Sequence, residues 1–204
     1  MHPLIFDEFD RICSGAGPFH RILEIGVSRT QRPLLTLPSL ARTPTKIGVD
    51  LEESFRGEDF LVLKGNANRM DFFADATFDL VLCNSMLEHD PCFWLTLREI
   101  RRVARPGALL AFGVPGFSKM GNQPGLNIAR RLARLPWIGI QWKGRLESLA
   151  ASTPTLGLHA YPGDYYRFSE QALREVFLQG LVRAETKKIL DPPRMLGWGF
   201  LPKF

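Results

Sequence analysis

The sequence predicts a doubly wound α/β fold, in which helices cover both faces of a mostly parallel sheet. Three observations predict this class. Short runs rich in Val, Ile and Leu recur between residues 21 and 115. Segments with apolar residues at helical spacing accompany these runs, and strands that alternate with helices form parallel sheets. The tail then has the pattern of one helix and two strands, which adds an antiparallel hairpin to the sheet.

Five apolar runs are the predicted strands of the parallel part. They are residues 21–27, 46–50, 60–63, 78–83 and 108–115. None of them alternates strictly between apolar and polar residues. Strands that are buried on both faces of a parallel sheet have this pattern, so we expect helices above and below the sheet.

Two segments before and between these strands have the 3.6-residue spacing of amphipathic helices. The first ends near "SGAGP", and the second lies in "PCFWLTLREIRRVARPG", where Pro106 and Gly107 are expected to end it. The residues on the apolar faces are Ile5, Phe9 and Ile12 in the first segment, and Phe93, Leu97, Ile100 and Ala104 in the second.

The tail and the segment before it complete the predicted architecture. "RFSEQALREVFLQG" predicts a helix with Ser169 at its N-cap and Gly180 at its end. "LVRAETKKIL" and "MLGWGFLPKF" predict the hairpin strands. Residues 116–168 contain too many turn signals for one regular element. We interpret them as a lid inserted over the carboxyl edge of the sheet in a single domain, 1–204.

Composition excludes several classes of protein. The chain has 204 residues, 45% of them hydrophobic and 23% charged, which is the balance of a soluble globular domain. No apolar run could span a bilayer, and the first residues lack the features of a signal peptide. The three cysteines have no CxxC spacing, so no metal site is expected, and a reducing cytoplasm is the predicted location.

The net charge of +5 permits an anionic partner without requiring one. The segment "LNIARRLARLPWIGIQW" predicts a basic amphipathic helix with tryptophans. Such a helix can contact a membrane surface or an anionic substrate, but a lid helix with solvated arginines is the preferred interpretation. No nucleic-acid-binding motif is present, so nucleic acid is not an expected partner. The sequence does not indicate an oligomeric state.

Two acids at the ends of strands indicate a nucleotide-like ligand. Glu24 lies inside an apolar strand, where a lone carboxylate is costly unless it has a partner. Asp50 ends the second strand, where a carboxylate can accept both hydroxyls of a ribose, although a turn residue is the alternative. Of the glycine pattern that a dinucleotide needs, only Gly26 is present. A ligand without phosphates is therefore favoured over a nicotinamide cofactor.

The quoted motifs resemble a known family. "ILEIGVS", "IGVDL", "GNANRMDFFADATFDLVLCNSMLEH" and "LREIRRVARPGALLAFGVPG" are similar to the class I S-adenosylmethionine-dependent methyltransferases, specifically the type 11 group. The resemblance covers about residues 20 to 115. It implies the Rossmann-like methyltransferase fold, with a seven-stranded sheet, and S-adenosylmethionine as cofactor.

The resemblance also implies the cofactor-binding residues. Glu24 and Gly26 would lie beside the amino-acid part of the cofactor, Asp50 at the ribose, Leu51, Asn66 and Ala67 at the adenine, and Asn84 and Ser85 at the methionine part. Two features depart from the family. Asn66 replaces the usual acid. Ser28 and Thr30 replace the later glycines of the loop that begins at Gly26, which we call the opening loop. These hydroxyls either donate hydrogen bonds to the carboxylate of the cofactor or obstruct it.

Candidates for acceptor chemistry come from two stretches. His89 follows the fourth strand directly, and "LHAYPGDYYRFS" precedes the tail helix. A neutral imidazole can act as a base near pH 7, and tyrosines suit a sugar or ring face. The catalytic candidates are His89, His159 and Asp164, and the substrate candidates are Tyr161, Tyr165, Tyr166 and Arg167. The alternative is a structural role, with helix capping at His89 and a loop held by an Asp164–Arg167 ion pair.

The predicted function is methyl transfer to a small-molecule, glycan-linked or lipid-linked acceptor, at oxygen or nitrogen. The altered opening loop keeps a non-catalytic, methyltransferase-like binding protein as the alternative. The sequence does not identify the acceptor.

Overall fold

Eight strands of one sheet form the framework of the part of the chain that the computed structural model describes. In chain order they are β1 (Arg21–Ile25), β2 (Thr45–Asp50), β3 (Phe55–Arg56), β4 (Leu61–Lys64), β5 (Phe78–Asn84), β6 (Ala104–Pro115), β7 (Val182–Leu190) and β8 (Pro193–Phe200). Their order in the sheet is β3-β4-β2-β1-β5-β6-β8-β7. The strands β4, β2, β1, β5 and β6 run parallel, and β3, β8 and β7 pair antiparallel to their neighbours.

The structure describes residues 1–116, 163–190 and 193–203, together with Leu132, Leu135, Gly139 and Trp142. The chain divides into two units, Met1–Gly116 with Ala160–Phe204, and Phe117–His159. The predicted lid, including its basic helix, lies almost entirely outside the described residues. The prediction of a single domain with an insertion at 116–168 therefore stays a prediction.

The sheet order confirms the predicted doubly wound fold with a C-terminal antiparallel hairpin. The chain proceeds outward from β1 to β2 and β4, and then returns to β5 on the other side of β1. In open α/β sheets, ligands bind beyond the carboxyl ends of the strands at such a reversal. The predicted number of seven strands is wrong. The additional strand is β3, whose two residues pair with β4 at the edge of the sheet and are too few to form an apolar run.

Helices lie where their apolar patterns predicted them, with differences at their ends. Helix α1 spans Pro3–Ser14, and helix α2 spans Phe93–Val103. The tail helix α3 is α-helical only at Glu170–Ala172 and continues as a π-helical turn at Leu173–Phe177. The hydroxyl of Ser169 accepts a hydrogen bond of 3.1 Å from the Ala172 amide, which confirms the predicted N-cap.

The predicted end of α2 is wrong by three residues. Pro106 and Gly107 do not end this helix, because the chain leaves it after Val103 and enters β6 at Ala104. Ala104 pairs with Phe78, and the register then shifts before Leu80 pairs with Leu109. Gly107 lies within this irregular stretch with a φ of +82°, a backbone conformation that glycine adopts without strain.

Two apolar clusters, one on each face of the sheet, form the core. Neighbouring residues of one strand belong to different clusters, as with Leu80 and Val81 of β5. Helix α1 contributes Phe9 to one cluster, and α2 contributes Ile100 to the other, each fully buried. The parallel strands are therefore buried on both faces, as their lack of alternation predicted.

Candidate cofactor and acceptor site

The carboxyl ends of β1, β2, β4 and β5 bring the predicted cofactor residues to one edge of the sheet. Ile25 of β1 pairs with Val49 of β2 on one side and with Cys83 of β5 on the other. Asp50 ends β2 opposite Lys64, the last residue of β4. The residues that follow these strand ends are Gly26, Leu51, Gly65 and Ser85. Four segments distant in sequence thus converge at the reversal beside β1.

Glu24 has a partner inside the protein, as its position in an apolar strand required. Its side chain is buried, and Oε2 accepts a hydrogen bond of 3.0 Å from the Leu35 amide. Burial raises the pKa of Glu24 to about 7, against the effect of the backbone amides of Leu34 and Leu35, which favour the charged form. Both amides belong to the short 3₁₀ turn Leu34–Thr36. Glu24 therefore fixes the segment that returns from the opening loop.

Gly26 occupies a position that only glycine fits. Its φ is +82°, and its amide donates a hydrogen bond of 2.9 Å to the Val49 carbonyl. A Cβ atom here would lie 2.6 Å from the Cβ and Cγ atoms of Met86. The backbone conformation and the lack of space beside Met86 thus both require glycine. Glycine lets the chain turn tightly beside the residues that follow β5.

Side chains, in place of further glycines, organise the opening loop after Gly26. The hydroxyls of Ser28 and Thr30 lie 2.9 Å apart, and the Thr30 amide donates to the Ser28 hydroxyl at 3.3 Å. Arg29 points toward the β2 and β3 side of β1, where it pairs with Glu53. The loop is thus held by its own polar side chains.

Asp50 is part of a turn and also presents an oxygen toward the edge of the sheet. Its Oδ1 accepts hydrogen bonds from the amides of Glu52 at 2.8 Å and Glu53 at 3.0 Å. Asp50 therefore stabilises a turn, which is the alternative role that the sequence allowed for it. No residue that the structure describes bonds to Oδ2, so a ligand hydroxyl can donate to that oxygen. Leu51, the predicted adenine contact, is 67% exposed.

The segment after β4 is held by polar residues that sequence reasoning missed. Asn66 is exposed, and its Oδ1 accepts a hydrogen bond of 2.9 Å from the Asn68 amide, whereas Ala67 is half-buried. Asn68 donates through Nδ2 to Asp90 Oδ2 and Thr96 Oγ1, each at 2.7 Å. Asp90 and Thr96 are buried. This network ties the segment of Asn66 to the residues that follow β5.

Asn84, the last residue of β5, carries a buried polar atom without a partner. Its side chain is 9% exposed, and its Oδ1 accepts no hydrogen bond within the described part of the chain. Gly113 lies beside it on β6, where a Cβ atom would be 2.3 Å from Oδ1. Ser85 follows with a φ of +54° and donates its amide to the Gly113 carbonyl at 2.9 Å. An unsatisfied buried oxygen is costly, so this atom indicates a place for a donor group.

The turn after β5 contains a buried acid and a partly buried histidine. Glu88 is fully buried, and its Oε1 accepts a hydrogen bond of 3.2 Å from Nη1 of Arg194. No sequence pattern indicated Arg194 as a site residue. Partial burial lowers the pKa of His89 below its ordinary value. The Asp164 carboxylate and a backbone hydrogen bond with Gly163 oppose this lowering of the pKa of His89.

The residues before α3 pack against this turn. Asp164 and Arg167 form a two-bond ion pair at 2.5 and 2.7 Å, with side chains only 5% and 10% exposed. The Tyr165 and Tyr166 amides donate to the Glu88 carbonyl at 2.8 and 3.3 Å. The ion pair is the structural alternative considered for this stretch, and it coexists with the position of Asp164 beside His89. His159 and Tyr161 lie outside the described residues.

A family match agrees with this geometry. The model of a methyltransferase domain matches residues 23–112, which include every predicted cofactor-binding residue and His89. This match covers less than half of the chain and, together with the solved structures described next, supports a class I S-adenosylmethionine-dependent methyltransferase. The match begins in β1 and ends in β6. No curated protein sequence matches this methyltransferase.

Solved structures share the fold of the methyltransferase at low sequence identity. An S-adenosylmethionine-dependent methyltransferase from Archaeoglobus fulgidus is 14% identical, with 97% of this chain and 93% of that chain covered and a TM-score of 0.60. The 1,6-didemethyltoxoflavin-N1-methyltransferase from Burkholderia thailandensis was solved with bound 1,6-didemethyltoxoflavin and S-adenosylhomocysteine. It is 18% identical, with 98% of this chain and 81% of that chain covered and a TM-score of 0.58. The N-methyltransferase NodS from Bradyrhizobium japonicum is 14% identical, with 98% of this chain and 95% of that chain covered and a TM-score of 0.56.

The residues of the methyltransferase fit its cofactor. The Oδ2 atom of Asp50 suits a ribose hydroxyl, and the buried Oδ1 of Asn84 suits a donor group of the amino-acid part. Gly26 leaves room for Met86, with which a Cβ atom at this edge of the sheet would clash. Among the described residues, no His, Cys, Asp or Glu cluster could hold a metal ion, and no helix is long and apolar enough to cross a bilayer.

Proposed function

We propose that this methyltransferase methylates an oxygen or nitrogen of a small-molecule, glycan-linked or lipid-linked acceptor at the edge of the sheet beyond β1 and β5. One observation carries the proposal. The predicted cofactor residues at the ends of β1, β2 and β5 lie at the same edge as a turn with His89, which packs against Asp164 and its neighbours. This arrangement supports a pocket for the methyl donor and a candidate base at the same edge of the sheet.

Within this proposal, each predicted residue has a definite role. Asp50 accepts the ribose hydroxyls, and Leu51 and Ala67 contact the adenine, whose amine donates to Asn66. Glu24 and Gly26 shape the methionine pocket, together with Asn84 and Ser85. Ser28 stabilises the opening loop at the carboxylate end of the cofactor. Support for the role of Asp50 comes from the two amides that orient its Oδ1 and leave Oδ2 for the ligand.

The chemistry proposed for the acceptor side is positioning aided by a base. The bound cofactor supplies a sulfonium methyl group that is already activated, and holding two reactants in line can contribute about 7–11 kcal/mol. The cofactor, held by the residues named above, would supply its methyl carbon to the lone pair of the acceptor and would leave as S-adenosylhomocysteine. His89 accepts the proton that the acceptor loses, because its lowered pKa keeps the imidazole neutral at pH 7.

An acceptor with a flat ring fits the side chains around this turn. Tyr165 and Trp94 are 59% and 53% exposed, and Phe93 contacts Trp94 and Tyr166 with ring centroids 5.5 and 5.1 Å apart. Exposed aromatic rings stack well on planar groups and sugar faces. The Burkholderia neighbour binds 1,6-didemethyltoxoflavin, which supports a small-molecule acceptor here. Tyr161 and Arg167 complete the proposed substrate residues.

Calorimetry with S-adenosylhomocysteine tests the cofactor part of the proposal. We expect wild-type protein to bind it and Asp50→Ala to bind about 10- to 100-fold more weakly, since a hydrogen bond to a charged group contributes about 1.5–3 kcal/mol. Asp7→Ala, which removes an exposed carboxylate of α1, is the matched control and should bind like wild type. Absence of binding to wild type would refute the proposal.

Turnover tests the acceptor part. With an acceptor found by screening, His89→Gln should lower the methylation rate by about 10²- to 10⁴-fold, the usual contribution of a general base. Binding of S-adenosylhomocysteine should stay unchanged. An unchanged rate would assign His89 a structural role, and Asp164→Asn or changes at His159 would then be the next tests. Cofactor binding without turnover on any acceptor would favour the non-catalytic alternative. The cytoplasmic location stays a prediction.

A further inference from the structure

An ion pair joins the loop after β1 to the turn after β2. Nε of Arg29 donates to Oε1 of Glu53 at 3.2 Å, and Nη2 of Arg29 lies 3.2 Å from Oε2, so both carboxylate oxygens are engaged. The Arg29 guanidinium also lies 4.8 Å from the ring centroid of Phe55 on β3. A two-point ion pair that also stacks on a ring has a defined geometry, unlike a single flexible contact.

The partner of Arg29 belongs to the turn that orients Asp50. The Glu53 amide donates to Oδ1 of Asp50 at 3.0 Å, so the residue that binds Arg29 through its side chain binds Asp50 through its backbone. The Glu52 amide donates to the same oxygen at 2.8 Å. Arg29 is thus connected to Asp50 through one residue, although it lies in a different loop.

We propose that Arg29 is a positioning residue for the ribose of the cofactor, acting through Glu53 on Asp50. This inference rests on the proposed function, because it requires a ribose at Asp50. Holding the 50–53 turn in place before the ligand arrives reduces the conformational entropy that binding must overcome. The opening loop, which lacks two of the three family glycines, thereby contributes to cofactor binding through a side chain.

The position of Arg29 makes this role separable from fold stability. Its side chain is 60% exposed and that of Glu53 is 46% exposed, and exposed ion pairs contribute little to folding. Variants at both positions should therefore fold. Arg174 offers a matched control, because it is 56% exposed and pairs with Glu170 on α3, outside the loops that hold Arg29 and Asp50.

The experiment compares S-adenosylhomocysteine with its 2′,3′-dideoxyribose analogue by calorimetry. We expect Arg29→Ala and Glu53→Gln each to weaken binding of the diol ligand by about two- to fivefold, the range for an exposed ion pair. The double variant should lose no more than either single variant, because both remove the same interaction. The dideoxy ligand should bind all variants about equally, and Arg174→Ala should bind both ligands like wild type.

The outcomes separate this inference from the proposed function. If wild type binds neither ligand, the proposed function fails, and the inference fails with it. If wild type binds the diol ligand but Arg29→Ala leaves its affinity unchanged, only the inference fails. Equal losses for the diol and dideoxy ligands would also overturn it, since they would show a general effect on the loop and no specific effect on the ribose.

Discussion

A hydrogen bond of 3.0 Å joins the Glu24 carboxylate to the Leu35 amide inside the protein, where the Glu24 side chain is only 4% exposed. Glu24 is the residue before Ile25, which ends β1, and Leu35 lies in the 3₁₀ turn on the path back toward β2. The bond therefore joins the two ends of the opening loop. Because the carboxyl group is buried there, protonation of Glu24 affects the stability of the whole loop.

The burial of Glu24 predicts an unusual pH dependence of stability. The pKa of Glu24 rises from 4.5 to about 7 on folding, so between these values the native state binds a proton that the unfolded state has lost. The free energy of unfolding therefore falls as pH rises through this window, by about 3 kcal/mol. Glu24→Gln removes this titration. Its stability relative to wild type, measured by urea unfolding, should increase from pH 4.5 to pH 8, and parallel curves would contradict the prediction.

Replacement of Gly26 by alanine should destabilise the protein more than the same replacement at Gly180, which has a similar backbone conformation. Gly180 has a φ of +74° and open space around its Cα, so Gly180→Ala should cost only the conformational strain, about 1 kcal/mol. Gly26→Ala adds a clash with Met86 and should cost about 1–3 kcal/mol more. Urea unfolding of both variants measures the difference. Equal losses would show that Met86 moves aside freely.

Ser28→Gly should weaken cofactor binding. The Ser28 hydroxyl is bonded to Thr30, and glycine would remove this bond and make the loop more flexible, at a cost of about 0.5–1 kcal/mol. We expect binding of S-adenosylhomocysteine to weaken about two- to fivefold by calorimetry. Thr30→Val, which keeps the shape and removes the hydroxyl, should have a similar effect. Tighter binding by Ser28→Gly would instead show that the side chain obstructs the ligand.

Asp90→Ala should destabilise the protein and loosen the segment after β4. Asp90 accepts hydrogen bonds from Asn68, Thr96 and the Cys92 amide. Its loss leaves buried donors unsatisfied, at about 1–3 kcal/mol each. We expect a loss of at least about 2 kcal/mol in urea unfolding. Asp71→Ala, at a side chain that is 62% exposed, is the control and should change stability by less than about 0.5 kcal/mol.

Apolar periodicity predicted the sheet well because burial on both faces leaves a local signal. The five parallel strands and both hairpin strands begin and end within four residues of their predicted limits. Three short elements lack such a signal. The strand β3 has only two residues. The 3₁₀ turn at Leu34–Thr36 is fixed in part by the distant Glu24, and the turn at Pro38–Leu40 in part by Asp10, which accepts a hydrogen bond from the Ser39 amide.

The candidate site was predictable where it depends on strand ends and not where it depends on contacts between loops. Asp50 was identified because it ends an apolar strand, and Asn84 because it follows one in a motif that resembles the family. Asn68 and Asp90 are 22 positions apart, and Arg29 and Glu53 are 24 apart. Each of these residues is unremarkable in its own segment. Only the sheet order, which brings the loops together, gives them partners.

The interior position of β8 has a consequence for synthesis of the chain. β7 is translated first, but it reaches the sheet only through β8, which separates it from β6. A nascent chain that has not yet released residues 193–200 already contains every proposed cofactor residue, yet the outer backbone edge of β6 has no strand beside it. Open apolar edges promote aggregation. The late arrival of β8 therefore covers the edge of β6, and ribosomal pausing before this segment would leave that edge open for longer.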